Sequence, residues 1–234
     1  MTRVILIRHG ITEWNRRARY CGSRDIGLSK EGRRQARKLG VRLRAAEFDE
    51  VYCSDRRRAM QTGRIIFGRR KMVKMRGLRE IDFGMFEGLR HNELMKKHPG
   101  MYGRWLKDPY RHPIPKAEPV KRFKARIERA VRRIVRSNPG KEVAVVCHGG
   151  VIGILVSAIR KERDLWRYIP SAASITVVEY QESEAPRAKA RGFHSSGANP
   201  APSIPVLKGG ALGRRGKVVI RKFNDTAHLE VRDE

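Results

Sequence analysis

The chain has 234 residues and carries 53 Lys and Arg against 24 Asp and Glu, a formal net charge of +29. That length suits one compact domain with room for an insertion, and 40% apolar residues exclude a wholly disordered chain. Three scattered cysteines, Cys21, Cys53 and Cys147, exclude a disulfide scaffold or a Cys-rich zinc site and suit a reducing cytoplasm.

Val4-Ile5-Leu6-Ile7 is a continuous apolar run, as expected of a strand covered on both faces, and it is too short for a signal peptide. Ser29 is placed to cap a helix in which Ala36, Leu39, Leu43 and Ala46 recur at helical spacing. A short strand over Glu50–Ser54, a helix over Asp55–Phe67 and a second short strand over Met72–Met75 follow. Val120, Phe123, Ile127, Val131 and Ile134 mark the clearest amphipathic helix, stopped by Asn138-Pro139-Gly140. The uncharged stretch from Val143 to Ile159 approaches the length of a membrane span. Its β-branched start and the interruption at His148-Gly149-Gly150 make it a buried strand, a turn and a buried helix instead.

Ser174–Tyr180 and Lys217–Phe223 alternate as two late strands. Between them, 183–216 is rich in Pro and Gly without periodicity and reads as a disordered insertion. It interrupts a single domain made of 1–182 and 217–234. Strands alternating with helices predict an α/β fold, a three-layer α/β/α sandwich with a mostly parallel central sheet.

In open α/β sheets, ligands gather at the carboxyl ends of strands. Two such ends carry similar tripeptides, Arg8-His9-Gly10 and Cys147-His148-Gly149. A core histidine satisfied by hydrogen bonds explains one of them; two at equivalent strand ends point as readily to a shared site.

Arg8-His9-Gly10, followed by Ile11-Thr12-Glu13-Trp14-Asn15, resembles the signature of the histidine phosphatase superfamily, the phosphoglycerate-mutase-like fold. Asp25 to Gly32 resembles that family's D-x-x-L-S-x-x-G turn, and Ser54 to Thr62 resembles its S-x-x-x-R-A-x-Q-T helix start. Leu78 to Gly84 with Phe86 to Leu89 resembles the segment carrying the proton donor, and His148-Gly149-Gly150 the second histidine motif. The resemblance implies that His9 is the nucleophile and that Arg8, Asn15, Arg58 and His148 form a phosphate pocket. It places Glu80 as the acid, with Asp82 and Glu87 in reserve, and Cys21 with the backbone amides beside Gly22 at the substrate mouth. An ion pair with Arg79 or another nearby arginine is the plain structural alternative for Glu80.

The chemistry supports those roles independently. A neutral imidazole is a competent nucleophile, and covalent transfer splits one displacement into two. Phosphoryl transfer is mostly positioning and electrostatic stabilisation. Arg8 and Arg58 offer planar forks matched to phosphate, Asn15 a further donor, and His148 another if protonated. The sequence holds neither an Asp/His metal cluster nor a Walker loop, so no metal and no cofactor are expected.

The stretch Trp105 to Glu118 is short, unlike the basic cover of the mutases. It resembles the small bacterial and archaeal phosphatases, the branch of the α-ribazole phosphatases, as does the late Asn224-Asp225-Thr226-Ala227-His228-Leu229. A small phosphorylated metabolite, with α-ribazole 5′-phosphate foremost, is the implied substrate. Two alternatives stand beside it: a phosphoglycerate mutase, and a non-catalytic basic protein holding nucleic acid. The basic residues spread along the whole chain, so they decorate solvated faces or draw nucleic acid or an anionic membrane surface. Nothing in the pattern fixes an oligomeric state.

Overall fold

The computed structural model describes residues 1–164, 166–182 and 216–230. In chain order the elements are β1 (Thr2–Arg8), α1 (Glu13–Arg16), α2 (Lys30–Arg42), β2 (Glu50–Cys53), α3 (Arg57–Phe67) and β3 (Val73–Lys74). Then come α4 (His91–Lys97), α5 (Pro99–Lys107), α6 (Val120–Ser137), β4 (Glu142–Cys147), α7 (Gly149–Arg160), β5 (Ile175–Glu182), β6 (Gly216–Asp225) and α8 (Ala227–Glu230). The strands form one sheet in the order β3-β2-β4-β1-β5-β6. The first four run parallel, and β5 and β6 join antiparallel.

Because side chains alternate across a strand, β1 and β4 each feed two cores. Val4, Leu6, Val143 and Val145 join α6 and α7 on one face, together with Leu94, Tyr102 and Trp105 from α4 and α5. Ile5, Ile7, Ala144 and Val146 join Leu39 and Ala59 of α2 and α3 on the other. This is the expected α/β/α sandwich. Helix α6 buries Val120, Phe123, Ile127, Val131 and Ile134 on one stripe. Each such side chain contributes about 1.5–3 kcal/mol relative to exposure.

Ser29 caps α2 by accepting from Gly32 N at 3.0 Å. The helix ends at Arg42, with Leu43 as its C-cap, although Leu43 and Ala46 still pack on the core beyond it. Helix α3 begins at Arg57 rather than Asp55, because the Asp55 carboxylate bonds Arg79 and Arg56 takes the N-cap. Helices α4 and α5 were not evident from sequence spacing. The segment 183–216 lies outside the described residues except Gly216, which opens β6. Among the described residues, no helix is long and apolar enough to cross a membrane.

The sheet positions the site. Arg8 of β1 pairs in register with Cys147 of β4, so the next residue of each strand, His9 and His148, emerges at the same level. The turn after β1 then passes the start of α2 backbone to backbone. A Cβ on Gly10 or Gly32 would strike a carbonyl oxygen there, so both positions need glycine.

Candidate active site

His9 and His148 lie edge to face, with ring centroids 5.1 Å apart, and both are buried. His9 still bonds like a strand residue: its N–H donates to Cys147 O at 3.0 Å, and its carbonyl accepts from Ala173 N at 3.1 Å. Its Nδ1 lies 2.7 Å from Gly10 O. A carbonyl only accepts, so Nδ1 carries the proton and Nε2 keeps its lone pair. Burial, then the charges of Arg58 and Arg8, push the proton affinity of His9 well below the ordinary histidine range. The ring is therefore neutral and nucleophilic.

Arg58, on the first turn of α3, is fully buried. Its Nε donates to His148 Nδ1 at 3.2 Å, and its Nη atoms donate to Arg24 O at 2.9 Å and Gly22 O at 2.8 Å. Since Arg58 can only donate, His148 Nδ1 is the acceptor, and the His148 proton sits on Nε2, 2.8 Å from Ser54 Oγ. Burial and the neighbouring Arg58 keep His148 neutral as well. A protonated His148 donating to phosphate is thus not the arrangement seen; both ring nitrogens are engaged within the protein. Arg8 donates one Nη to Pro170 O, while its Nε is buried without a partner among the described residues.

Glu80 stands over the start of α7. Its Oε2 accepts from Gly150 N at 2.8 Å, and its Oε1 from Ile81 N at 3.0 Å. A Cβ at Gly150 would collide with this carboxyl group. Burial raises the Glu80 pKa above the usual carboxylate range, against the lowering pull of those amides and of Arg58 and Arg8. Arg79, its plain alternative partner, bonds Asp55 instead. Arg126 holds the Glu80 segment from behind, donating to Gly77 O, Arg79 O and Glu80 O while paired to Glu118.

The reserve carboxylates are committed elsewhere. Asp82 accepts from Gly84 N, and Glu87 accepts from the amides of Gly22, Ser23, Arg24 and Phe83. The amides beside Gly22 therefore face Glu87, and Gly22 meets the arginine cluster through its carbonyl. Burial pushes the Cys21 thiol up to about 11, partly offset by the charge of Arg58, so it stays protonated. Asn15 is drawn into a capping box: its Oδ1 accepts from Thr12 N and Thr12 Oγ1. None of its recorded bonds reaches the histidines or the arginines.

Sequence reasoning gave no role to Ser54, which fixes His148, or to Thr62. The Thr62 hydroxyl accepts from Gly10 N at 3.1 Å and donates to Arg58 O at 2.8 Å, tying the turn after β1 to α3. Both lie inside the Ser54–Thr62 motif, which was the available signal. Together the cluster offers a neutral imidazole, several guanidinium donors and a carboxyl group of raised pKa at one end of the sheet.

The histidine phosphatase superfamily (branch 1) matches residues 4–190. The adenosylcobalamin/α-ribazole phosphatase of Escherichia coli strain K12 is 32% identical over 160 residues, covering 67% of this chain and 78% of that protein. Phosphoserine phosphatase 1 of Hydrogenobacter thermophilus is 27% identical over 186 residues, covering 78% of this chain and 88% of that protein. The crystal structure of a mycobacterial glucosyl-3-phosphoglycerate phosphatase with VO3 superposes with a TM-score of 0.69 at 29% identity, covering 76% of this chain and 92% of that one. The three relatives are named for three different substrates.

Proposed function

Because the chain belongs to the histidine phosphatase superfamily (branch 1), we propose that it hydrolyses a small phosphomonoester through a phosphohistidine formed on His9. The observation that carries this reading is the state of His9: its Nδ1 is bonded to Gly10 O, leaving the Nε2 lone pair available, and burial with the charges of Arg58 and Arg8 keeps the ring neutral.

In the first step His9 Nε2 attacks phosphorus, the N–P bond forms and the ester P–O bond breaks. Arg8 and Arg58 stabilise the charge on the equatorial oxygens, as fixed donors in a site sheltered from water. Glu80, whose pKa burial raises, gives a proton to the leaving alkoxide. In the second step water attacks phosphorus, the N–P bond breaks, and the Glu80 carboxylate takes up the proton released. Inorganic phosphate leaves, and His9 and Glu80 return to their starting states. In this reading Ser54 and His148 act on Arg58, holding its guanidinium plane against the phosphate.

α-Ribazole 5′-phosphate and O-phosphoserine are the first substrates to try, following the short 105–118 stretch and the relatives named above. The test is phosphate release from each in EDTA, wild type against His9→Ala, with 3-phosphoglycerate alongside to detect a rearranged rather than a hydrolysed product. Release lost in His9→Ala supports the reading. Release that survives the substitution, or a rearranged product without free phosphate, overturns it.

A further inference from the structure

Arg56 is a cation beside this site that the reaction above does not use. It caps α3 two residues before Arg58, and its own N–H reaches the Ser54 hydroxyl, which also holds His148. Its Nε is buried and finds no hydrogen-bond partner among the described residues. The nearby carboxylates are engaged: Asp55 bonds Arg79 at 2.7 and 2.5 Å, and Asp25 accepts from Arg57 N at 2.7 Å. No ion pair joins Arg56 to a carboxylate among the described residues. Burial and the like charges of Arg79 and Arg58 disfavour its charged form, the charges of Asp25 and Asp55 offset part of this, and its own charge acts on His148 and Cys21.

A guanidinium partly removed from water and crowded by others is costly unless an anion meets it. The neighbouring arginines show what a structural role looks like here: Arg79 and Arg126 each grip a carboxylate through two nitrogens. Arg8, Arg56 and Arg58 do not. A phosphate monoester brings about two negative charges for these three cations, and the Asp25 and Asp55 carboxylates that act on Arg56 bond other groups.

We propose that Arg56 is an anionic subsite beside the phosphate pocket and that the substrate is a phosphomonoester carrying a carboxylate on its alcohol moiety. A planar carboxylate fits the guanidinium fork through two parallel hydrogen bonds. This rests on the phosphatase reading above and selects within it. O-Phosphoserine has such a group, and α-ribazole 5′-phosphate does not.

The test compares kcat/KM for O-phosphoserine with that for O-phosphoethanolamine, which differs only in lacking the carboxylate. Wild type is expected to favour O-phosphoserine by about tenfold or more, the worth of one charge-assisted contact. Arg56→Leu is expected to bring that ratio close to one, and Arg56→Lys to restore part of it. A ratio is unaffected by partial loss of folded enzyme, so a destabilised variant remains informative. A wild-type ratio near one, or a ratio unmoved by Arg56→Leu, overturns the subsite while leaving the phosphatase reading intact. Absence of release from both compounds, with His9-dependent release from α-ribazole 5′-phosphate, overturns the subsite alone; absence of His9-dependent release from all three overturns both.

Discussion

Two regions of the molecule combine arginine, histidine and a carboxyl group to opposite ends. At the carboxyl ends of β1 and β4, the Glu80 carboxyl group bonds backbone amides and no arginine, and its pKa is raised. Where β6 leads into α8, Arg42 of α2 grips Asp225 through both Nη atoms, Lys222 adds a contact of 2.7 Å, and His228 Nδ1 lies 3.1 Å from Arg42 Nη1. There Arg42 holds the Asp225 carboxyl far below the usual range. The same residue types make a clamp where opposite charges are paired and a reactive site where they are kept apart. Pairing, rather than composition, separates structure from chemistry in this chain.

Substitutions on each side sharpen that contrast. The largest expected effect is at His9: His9→Ala should lower kcat/KM by about 10⁴-fold or more. It should also abolish the acid-labile phosphoenzyme seen by rapid quench and intact-mass measurement. A phosphoenzyme that persists would place the nucleophile elsewhere. Glu80→Gln is expected to cost about 10²–10⁴-fold.

The pH profile tests both groups together. Activity should rise as pH climbs through the depressed pKa of His9, which must be neutral to attack. It should fall as pH climbs further through the raised pKa of Glu80, which must be protonated to act as acid. Glu80→Gln should remove the falling limb and leave the rising one. A profile with its falling limb unchanged in the variant would assign that limb to another group.

A smaller effect is expected at Ser54, a positioning residue. Ser54→Ala leaves His148 Nε2–H without an acceptor and should lower kcat/KM about tenfold. It should also shift the His148 ring nitrogen resonances, with recovery in Ser54→Thr. At the clamp the expectation reverses. Asp225→Asn should leave turnover within about twofold and lower the unfolding free energy by about 1–2 kcal/mol at neutral pH, a figure reduced by solvent screening of the partly open pair. Because the folded-state pKa of Asp225 is depressed, its contribution exists above the unfolded-state pKa and disappears as pH falls through the folded one. Urea unfolding of wild type and variant should therefore converge in acid; a constant gap would deny the ion pair its role.

Much of this architecture was legible because its signals are local. The apolar run Val4–Ile7 and the β-branched start of β4 each ended in a histidine, and the buried stripe of α6 read directly from its spacing. Ser29 announced the start of α2. What escaped was tertiary. α4 and α5 bury few residues each, Leu94 in one and Tyr102 and Trp105 in the other, too few to set a period over such short helices. Glu87 looks in sequence like a reserve acid, and only the folded loop shows four backbone amides converging on it. The proton on His148 is likewise set by residues ninety and ninety-four positions away in the chain, Arg58 and Ser54, which no linear pattern displays.

The double attachment of His9 to the sheet has a consequence for how such a molecule can change. Its N–H bonds the end of β4 and its carbonyl the turn that leads into β5, so the reacting nitrogen hangs from a central strand of the sheet. Nearby segments such as residues 20–25 and 166–169 are connections between elements. Exchange of residues in those connections can retune which alcohol is accepted without shifting the atom that attacks phosphorus. Chemistry and selectivity are thereby separable traits, one anchored in the scaffold and the other free to drift.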